Sequence, residues 1–201
     1  MTTTYIFGEI VTRHGSGGNP THNFPFKIGD IIPHLDYAVA GAFAQHFANE
    51  TKNNGHSVLG SDLTKSADVD VVLGDCGDTS IKLPYSIINL PDQRGVHEVL
   101  YGNRKAERTT PDYLNRFQGL ESLALSREAK FWVIDDTVHL YNLPKGTKKV
   151  QLLLIPKPSS LDEDEELRIP AGYEDQIIDK VLKRMIPGFR TPEDTVNEGN
   201  K

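Results

Sequence analysis

The sequence has one cysteine, one tryptophan and two methionines among 201 residues. A lone Cys76 leaves no intrachain disulfide and no thiolate-based zinc site. No apolar run approaches the ~20 residues of a membrane-spanning helix. The opening MTTTYIFGEI has neither the basic start nor the apolar core of a signal peptide. A soluble chain made in a reducing compartment, with no membrane partner, is the expectation. Apolar residues are scarce too, at 37% with a mean hydropathy of −0.42, so part of the chain should be extended or buried only in an assembly. Bases are outnumbered, 22 Lys and Arg against 28 Asp and Glu for a net charge of −6, which argues against a general electrostatic grip on nucleic acid.

What the chain does have is one dense stretch, KFWVIDDTVHLYNLPKGTKKVQLLLIPKP from Lys130 to Pro158. Phe131 to Ile134 and Val138 to Tyr141 are rich in β-branched and aromatic residues, and Asp135-Asp136 breaks them as a turn. Pro144-Lys145-Gly146 supplies a second turn. Val150 to Ile155 is nearly continuous in apolar residues, the pattern of a strand buried on both faces. Connections this short exclude crossover helices and predict a three-stranded antiparallel meander, ended by Pro156 and Pro158.

Around it the pattern is mixed. Tyr5 to Val11 reads as a short strand, followed by an irregular Gly/Pro/Asn-rich segment, Arg13 to Pro25. Leu35, Val39, Ala42, Phe43, His46 and Phe47 recur at helical spacing and predict a helix over His34 to Asn53, stopped at Gly55. Asp68 to Leu73, Ser80 to Leu83, Ser86 to Leu90 and Gly95 to Leu100 are strand candidates, punctuated by proline. Tyr101 to Thr110 is polar and basic and reads as an exposed loop. Thr110-Pro111-Asp112 reads as N-cap, first-turn proline and first-turn acid, with Leu114, Phe117, Leu120, Leu123 and Leu125 on one or two short helices. Ser159 to Glu166 is acidic enough to be an unpacked linker. Gly172 to Ile186 is the last helix, its apolar face formed by Ile177, Ile178, Val181, Leu182 and Met185. That stripe must be buried. Its natural cover is the matching stripe Leu35, Val39, Phe43 and Phe47 of the same subunit, with a neighbouring subunit as the other possibility.

The expected fold is therefore α+β: a helical layer from the N- and C-terminal helices, an antiparallel β meander, and irregular β-rich loops. One domain over 1–187 is expected, with extended loops at 13–25 and 101–110 and a flexible tail at 188–201.

Four stretches have a chemical look, each with a plainer reading. Arg13-His14-Gly15 matches the start of histidine phosphatases, where imidazole takes the phosphoryl group and arginine binds its oxygens, but the βα alternation of that fold is missing. The glycines after His14 have no G-x-S-x-G elbow to serve. Asp135 and Asp136 with His139 could face a metal, yet aspartate is also what a hairpin turn favours. Gly74-Asp75-Cys76-Gly77-Asp78 has no base ordered beside the thiol, and its acids lack the spacing of a calcium loop. No catalytic residue, cofactor or metal is expected.

The order of three motifs carries a resemblance. W-x-I-D-x-x-V-x-L (Trp132 to Leu140), I-P-x-P (Ile155 to Pro158) and I-P-x-x-Y-x-x-x-I-I-x-x-V (Ile169 to Val181) follow one another as in the head-to-tail connector proteins of tailed bacteriophages, the neck ring and adaptor proteins of crAss-like and other short-tailed phages. The resemblance covers Tyr113 to Pro187, and the Arg13 to Pro25 segment has no counterpart in it. It implies a structural virion protein, assembled in the host cytoplasm. It further implies a cyclic ring, commonly of twelve copies, between portal and tail, with other neck or tail proteins as partners. Genome DNA would pass through without specific binding, which suits an acidic chain. A phosphotransfer enzyme using Arg13 and His14 and a β-sandwich binding module are the alternatives.

Overall fold

The structure, a computed structural model, describes residues 1–14, 26–54, 61–73, 79–91, 94–117 and 128–186. Its helices are α1 (Thr3–His14), α2 (Ile28–Asn54), α3 (Pro111–Phe117) and α4 (Glu174–Met185). Its strands are β1 (Lys65–Asp70), β2 (Val72–Leu73), β3 (Thr79–Lys82), β4 (Val96–Tyr101), β5 (Arg104–Lys105), β6 (Glu107–Arg108), β7 (Lys130–Ile134), β8 (Thr137–Tyr141) and β9 (Lys149–Leu154). The fold is α+β. The chain divides into two compact units: Met1–Leu59 with Lys157–Lys201, and the intervening Gly60–Pro156.

The first unit is helical. Its α1 replaces the strand expected at Tyr5 to Val11. The residues look β-forming, but Thr3, Ile6 and Ile10 are the buried ones, a helical spacing that packing selects over local propensity. Ser159 to Glu166 is likewise not an unpacked linker. It begins in a single 3-10 turn, Pro158–Ser160, and then pairs with the start of the chain. Thr2 bridges Glu166, Leu167 N–H donates to the Met1 carbonyl at 2.6 Å, and Thr4 N–H donates to the Glu163 carbonyl at 3.3 Å. The reason is physical: α1 has no acid in its own first turn, and its unpaired N–H groups and positive dipole end attract acceptors.

Helix α2 starts ahead of the expected His34. Asp30 reaches back to accept the Lys27 N–H at 2.7 Å, a capping arrangement, and Pro33 lies within the helix at the loss of one backbone bond. The gain is a long stripe: Ile31, Leu35, Val39, Phe43 and Phe47 are buried. Burial of each such side chain is worth about 1.5–3 kcal/mol. On α4, Ile177, Ile178, Val181 and Leu182 are buried and Met185 is partly so. Helices α2 and α4 pack against each other. Polar links bracket this packing: Asn49 Nδ2 donates to Tyr173 Oη at 3.1 Å, and the Arg184 guanidinium lies 3.9 Å from the Tyr37 ring centre. Acids Glu174 and Asp175 begin α4 and bases Lys183 and Arg184 end it, matching the helix dipole.

The second unit is two sheets on one core. Their strand orders are β1-β9-β4-β5 and β2-β3-β8-β7-β6. Ile81, Val99, Phe131, Val138, Leu152 and Leu154, drawn from both, share a single apolar cluster. The hairpin β7–β8 forms around the expected Asp135-Asp136 turn, with Ile134 opposite Thr137 and Asp135 at φ 51. The third strand of the expected meander does not join it: β9 crosses to the other sheet and lies between β1 and β4. Nor is β9 buried on both faces, since only Val150, Leu152 and Leu154 point to the core while Gln151 is exposed. The connection turns twice, through positive φ at Asn142 (57) and Gly146 (88), which redirects the chain between layers.

Two further segments change sheets. The strand expected over Asp68 to Leu73 splits at Val71, with β1 in one sheet and β2 in the other. The expected loop at Tyr101 to Thr110 is instead a corner. Gly102 (φ 58) and Asn103 make a two-residue hairpin turn, and β5 pairs with β4. Ala106 is then fully buried, and β6 runs parallel to β7 in the second sheet. Ser86 to Leu90 forms no strand; it contributes the isolated Ile87–Pro156 bridge. Thr110 caps α3, its Oγ1 accepting the Tyr113 N–H at 3.3 Å. Gly55, Gly74 to Asp78, the leucines at 120–125 and most of the 13–25 segment lie outside the described residues.

Candidate functional site

In the helical unit Arg13 is a fastener. At the end of α1 its guanidinium donates to the Asp175 carboxylate and to Asp179 at 3.3 Å, both on α4, with Glu9 at 3.9 Å. The arginine that a phosphate-binding reading needs is held by two carboxylates. His14 is the next residue and ends α1; Gly15 is outside the described residues. Asp135 and Asp136 form the β7–β8 turn, and the Asp136 carbonyl accepts the Leu83 N–H at 2.8 Å. Among the described residues no three His, Cys, Asp or Glu side chains gather to hold a metal.

The second unit has a polar site that no sequence motif announces. Where the chain turns the corner from β4 through β5 to β6, a cleft of about 430 Å³ is lined by Arg94, His97, Lys105, Arg108, Glu107 and Glu128. Alternation interrupted by a bulge explains the layout. In β4 the register shifts between Val96 and Glu98, so Val96, Val99 and Tyr101 are all buried while His97 and Leu100 are partly exposed. Arg108 donates to the Val96 carbonyl and sits 4.8 Å from the Phe131 ring centre. Lys105 Nζ pairs with Glu98 Oε1 at 2.5 Å. Lys130, only 4% exposed, pairs with Glu107, its neighbour across the parallel β6–β7 register. His97 titrates below its ordinary value of 6.5 because it is half-buried; Glu98 opposes this, and Lys105, Arg108 and Arg94 add to it. The imidazole is therefore neutral at physiological pH, able to donate at one nitrogen and accept at the other.

Beside this cleft runs a second groove, about 660 Å³, between Thr109–Pro111 and Trp132–Ile134. Thr109 Oγ1 is buried there without a hydrogen-bond partner among the described residues. The outer face of the sheet continues from it. Trp132 stacks on His139 across the hairpin, ring centres 5.3 Å apart and planes 9° from parallel. Ile134 and Tyr113 are each 47% exposed. An apolar and aromatic surface rimmed by arginine and threonine is the composition of a protein-contact patch.

The sequence singled out the α2 and α4 stripes, Arg13, His14, Asp135, Asp136 and His139. The structure joins Arg13 to α4 and stacks His139 on Trp132, and it buries the two stripes. Arg94, His97, Glu107, Arg108 and Lys130 were not read as one site, because the corner at Ala106 brings them together from three segments. The Gly102-Asn103 pair, a favoured hairpin turn, was the available signal. No helix among the described residues is long and apolar enough to cross a membrane. No protein-family model matches the sequence, and no curated protein matches it.

Proposed function

We propose that this chain is a structural virion protein that forms a ring in the neck of a tailed bacteriophage, joining portal to tail around the path of the genome. The observation that carries this reading is the outer face of the second sheet, where Trp132, His139 and the exposed Ile134 lie beside a groove edged by Arg94 and Arg108. Such a face fits a protein neighbour, in this reading another virion protein. The motif order over Tyr113 to Pro187 supports the same assignment, and an acidic chain suits a conduit that DNA crosses without adhering. A phosphotransfer role is disfavoured by the engagement of Arg13 with Asp175 and Asp179. A β-sandwich binding module is the second reading, favoured by the two sheets that share one core in Gly60–Pro156.

Cryo-electron microscopy of the assembled particle tests the proposal. The expected outcome is a closed cyclic ring of this chain between portal and tail, with heterologous contacts. A monomer or a two-fold dimer as the functional form on the particle overturns it. Purified protein is expected to show no hydrolysis of a generic phosphomonoester, and turnover that disappears in His14→Ala would move the enzyme reading to first place.

A further inference from the structure

The four-stranded sheet has two edges of opposite charge. In the order β1-β9-β4-β5, strand β1 has a neighbour only in β9, and β5 only in β4, among the described residues. Along β1, KSADVD, the residues alternate. Ala67 and Val69 pack against the core, while Ser66, Asp68 and Asp70 are exposed on the other face. At the far edge β5 consists of Arg104 and Lys105, both exposed. Among the described residues Asp70 has only a distant ion-pair partner, Lys149 at 4.0 Å, and Lys105 is shared with Glu98. Among the described residues no side-chain ion pair engages Asp68 or Arg104. The acidic edge and the basic edge stand three strand spacings apart, roughly 14 Å, on opposite sides of one sheet.

We propose that copies of this chain associate head to tail through these edges, the Asp68/Asp70 edge of one copy against the Arg104/Lys105 edge of the next. An edge strand lacks hydrogen-bond partners on one side, and another chain's edge can supply them. Charge selects which edge. Two acidic edges repel each other, as do two basic ones, so two-fold pairing through either is penalised and only the heterologous contact is attractive. A heterologous contact closes into a ring if its rotation allows, and otherwise runs on as a filament. The pairing is a property of the sheet; that it closes into a ring rests on the function proposed above.

The test is charge exchange in the full-length chain. One variant carries Asp68→Lys with Asp70→Lys and so has two basic edges. The other carries Arg104→Glu with Lys105→Glu and has two acidic edges. By sedimentation at low salt, wild type is expected to self-associate with increasing concentration. Each variant alone should associate at least about tenfold more weakly, and an equimolar mixture should recover wild-type association in alternating order. Far-ultraviolet circular dichroism checks that each variant is folded. Asp68→Asn with Asp70→Asn is the milder variant to use if charge reversal unfolds the chain, with an intermediate loss expected. Wild type that remains monomeric at every concentration, a single variant that assembles like wild type, or folded variants whose mixture fails to associate each overturns the edge pairing. A particle ring whose subunits meet elsewhere overturns the pairing and leaves the ring; a particle with no ring overturns the ring and leaves the solution result to decide the pairing.

Discussion

The two units reach similar compactness by different routes. The β unit is one continuous segment, Gly60–Pro156, whose strands find partners within it and whose core is one apolar cluster. The helical unit is closed by the two ends of the chain. Thr4 meets Glu163, Arg13 meets Asp175 and Asp179, and α2 packs on α4 across more than a hundred intervening residues. Closing a long loop costs conformational entropy that local contacts do not incur. The helical unit offsets that cost with long buried stripes and reinforces it with polar fasteners at the rim. The β unit relies instead on side chains alternating across two layers. The comparison teaches that the helical unit should be the one most sensitive to single changes at its seam, with the β unit able to hold its structure alone.

The largest expected effect breaks that seam. Ile178 is 2% exposed on α4. Ile178→Asp places an unpaired charge there, beyond the about 2–5 kcal/mol that truncation alone costs. The sole tryptophan, Trp132, lies in the β unit, so its emission reports that unit while ellipticity at 222 nm is dominated by α1, α2 and α4. The expected result is loss of most helical signal with Trp132 emission retained. If both signals vanish in one transition, the units are not separable and the comparison fails. Wild-type helicity and melting temperature in the free monomer would instead mean that α4 does not need this burial. The reciprocal change, Phe131→Ala, should cost about 3–5 kcal/mol and be read first at Trp132.

A smaller effect belongs to the fastener. Arg13→Ala removes contacts to Asp175 and Asp179, of which Asp175 is largely exposed and therefore screened. A loss of about 0.5–1.5 kcal/mol is expected, shrinking with added salt, and confined to the helical signal. A loss of several kcal/mol, or one read at Trp132, would show that the contact does more than pin α1 to α4.

How much of this was legible in the sequence follows from the range of the interaction concerned. Helices α2 and α4 repeat their apolar residues every three or four positions, and the β7–β8 hairpin declares itself by two β-rich runs around Asp135-Asp136. Thr110-Pro111-Asp112 announced a cap because capping acts over three residues. By contrast, α1 has strand-like residues and becomes helical through what it packs against. The β9 strand left its neighbour for the other sheet across the shared core, and nothing in KKVQLLL encodes that choice locally. The acidic run folded onto α1 because of a helix end 160 residues distant in sequence. The cleft at Arg94, His97 and Arg108 was hidden for the same reason: its local signature is no more than the Gly102-Asn103 turn and a buried Ala106 in a polar stretch.

The smallest expected effect is a pH dependence located in the β unit. The His97 imidazole is half-buried, with Arg94, Lys105 and Arg108 nearby, and its pKa lies below 6.5 in the folded chain. In the unfolded chain it returns to the ordinary value of about 6.5. Above that value both states carry neutral histidine and the group costs nothing. As pH falls below it, the unfolded chain takes up a proton that the folded chain resists, so stability declines until the folded pKa is passed. The β unit, read at Trp132, should therefore lose melting temperature between neutral pH and the mildly acidic range, and His97→Gln should flatten that part of the profile. Carboxylate titration, which sets in at lower pH, should be common to both proteins. A wild-type profile that is flat through this window, or a His97→Gln profile that falls just as steeply, would show that the imidazole is not the group held neutral by the cleft.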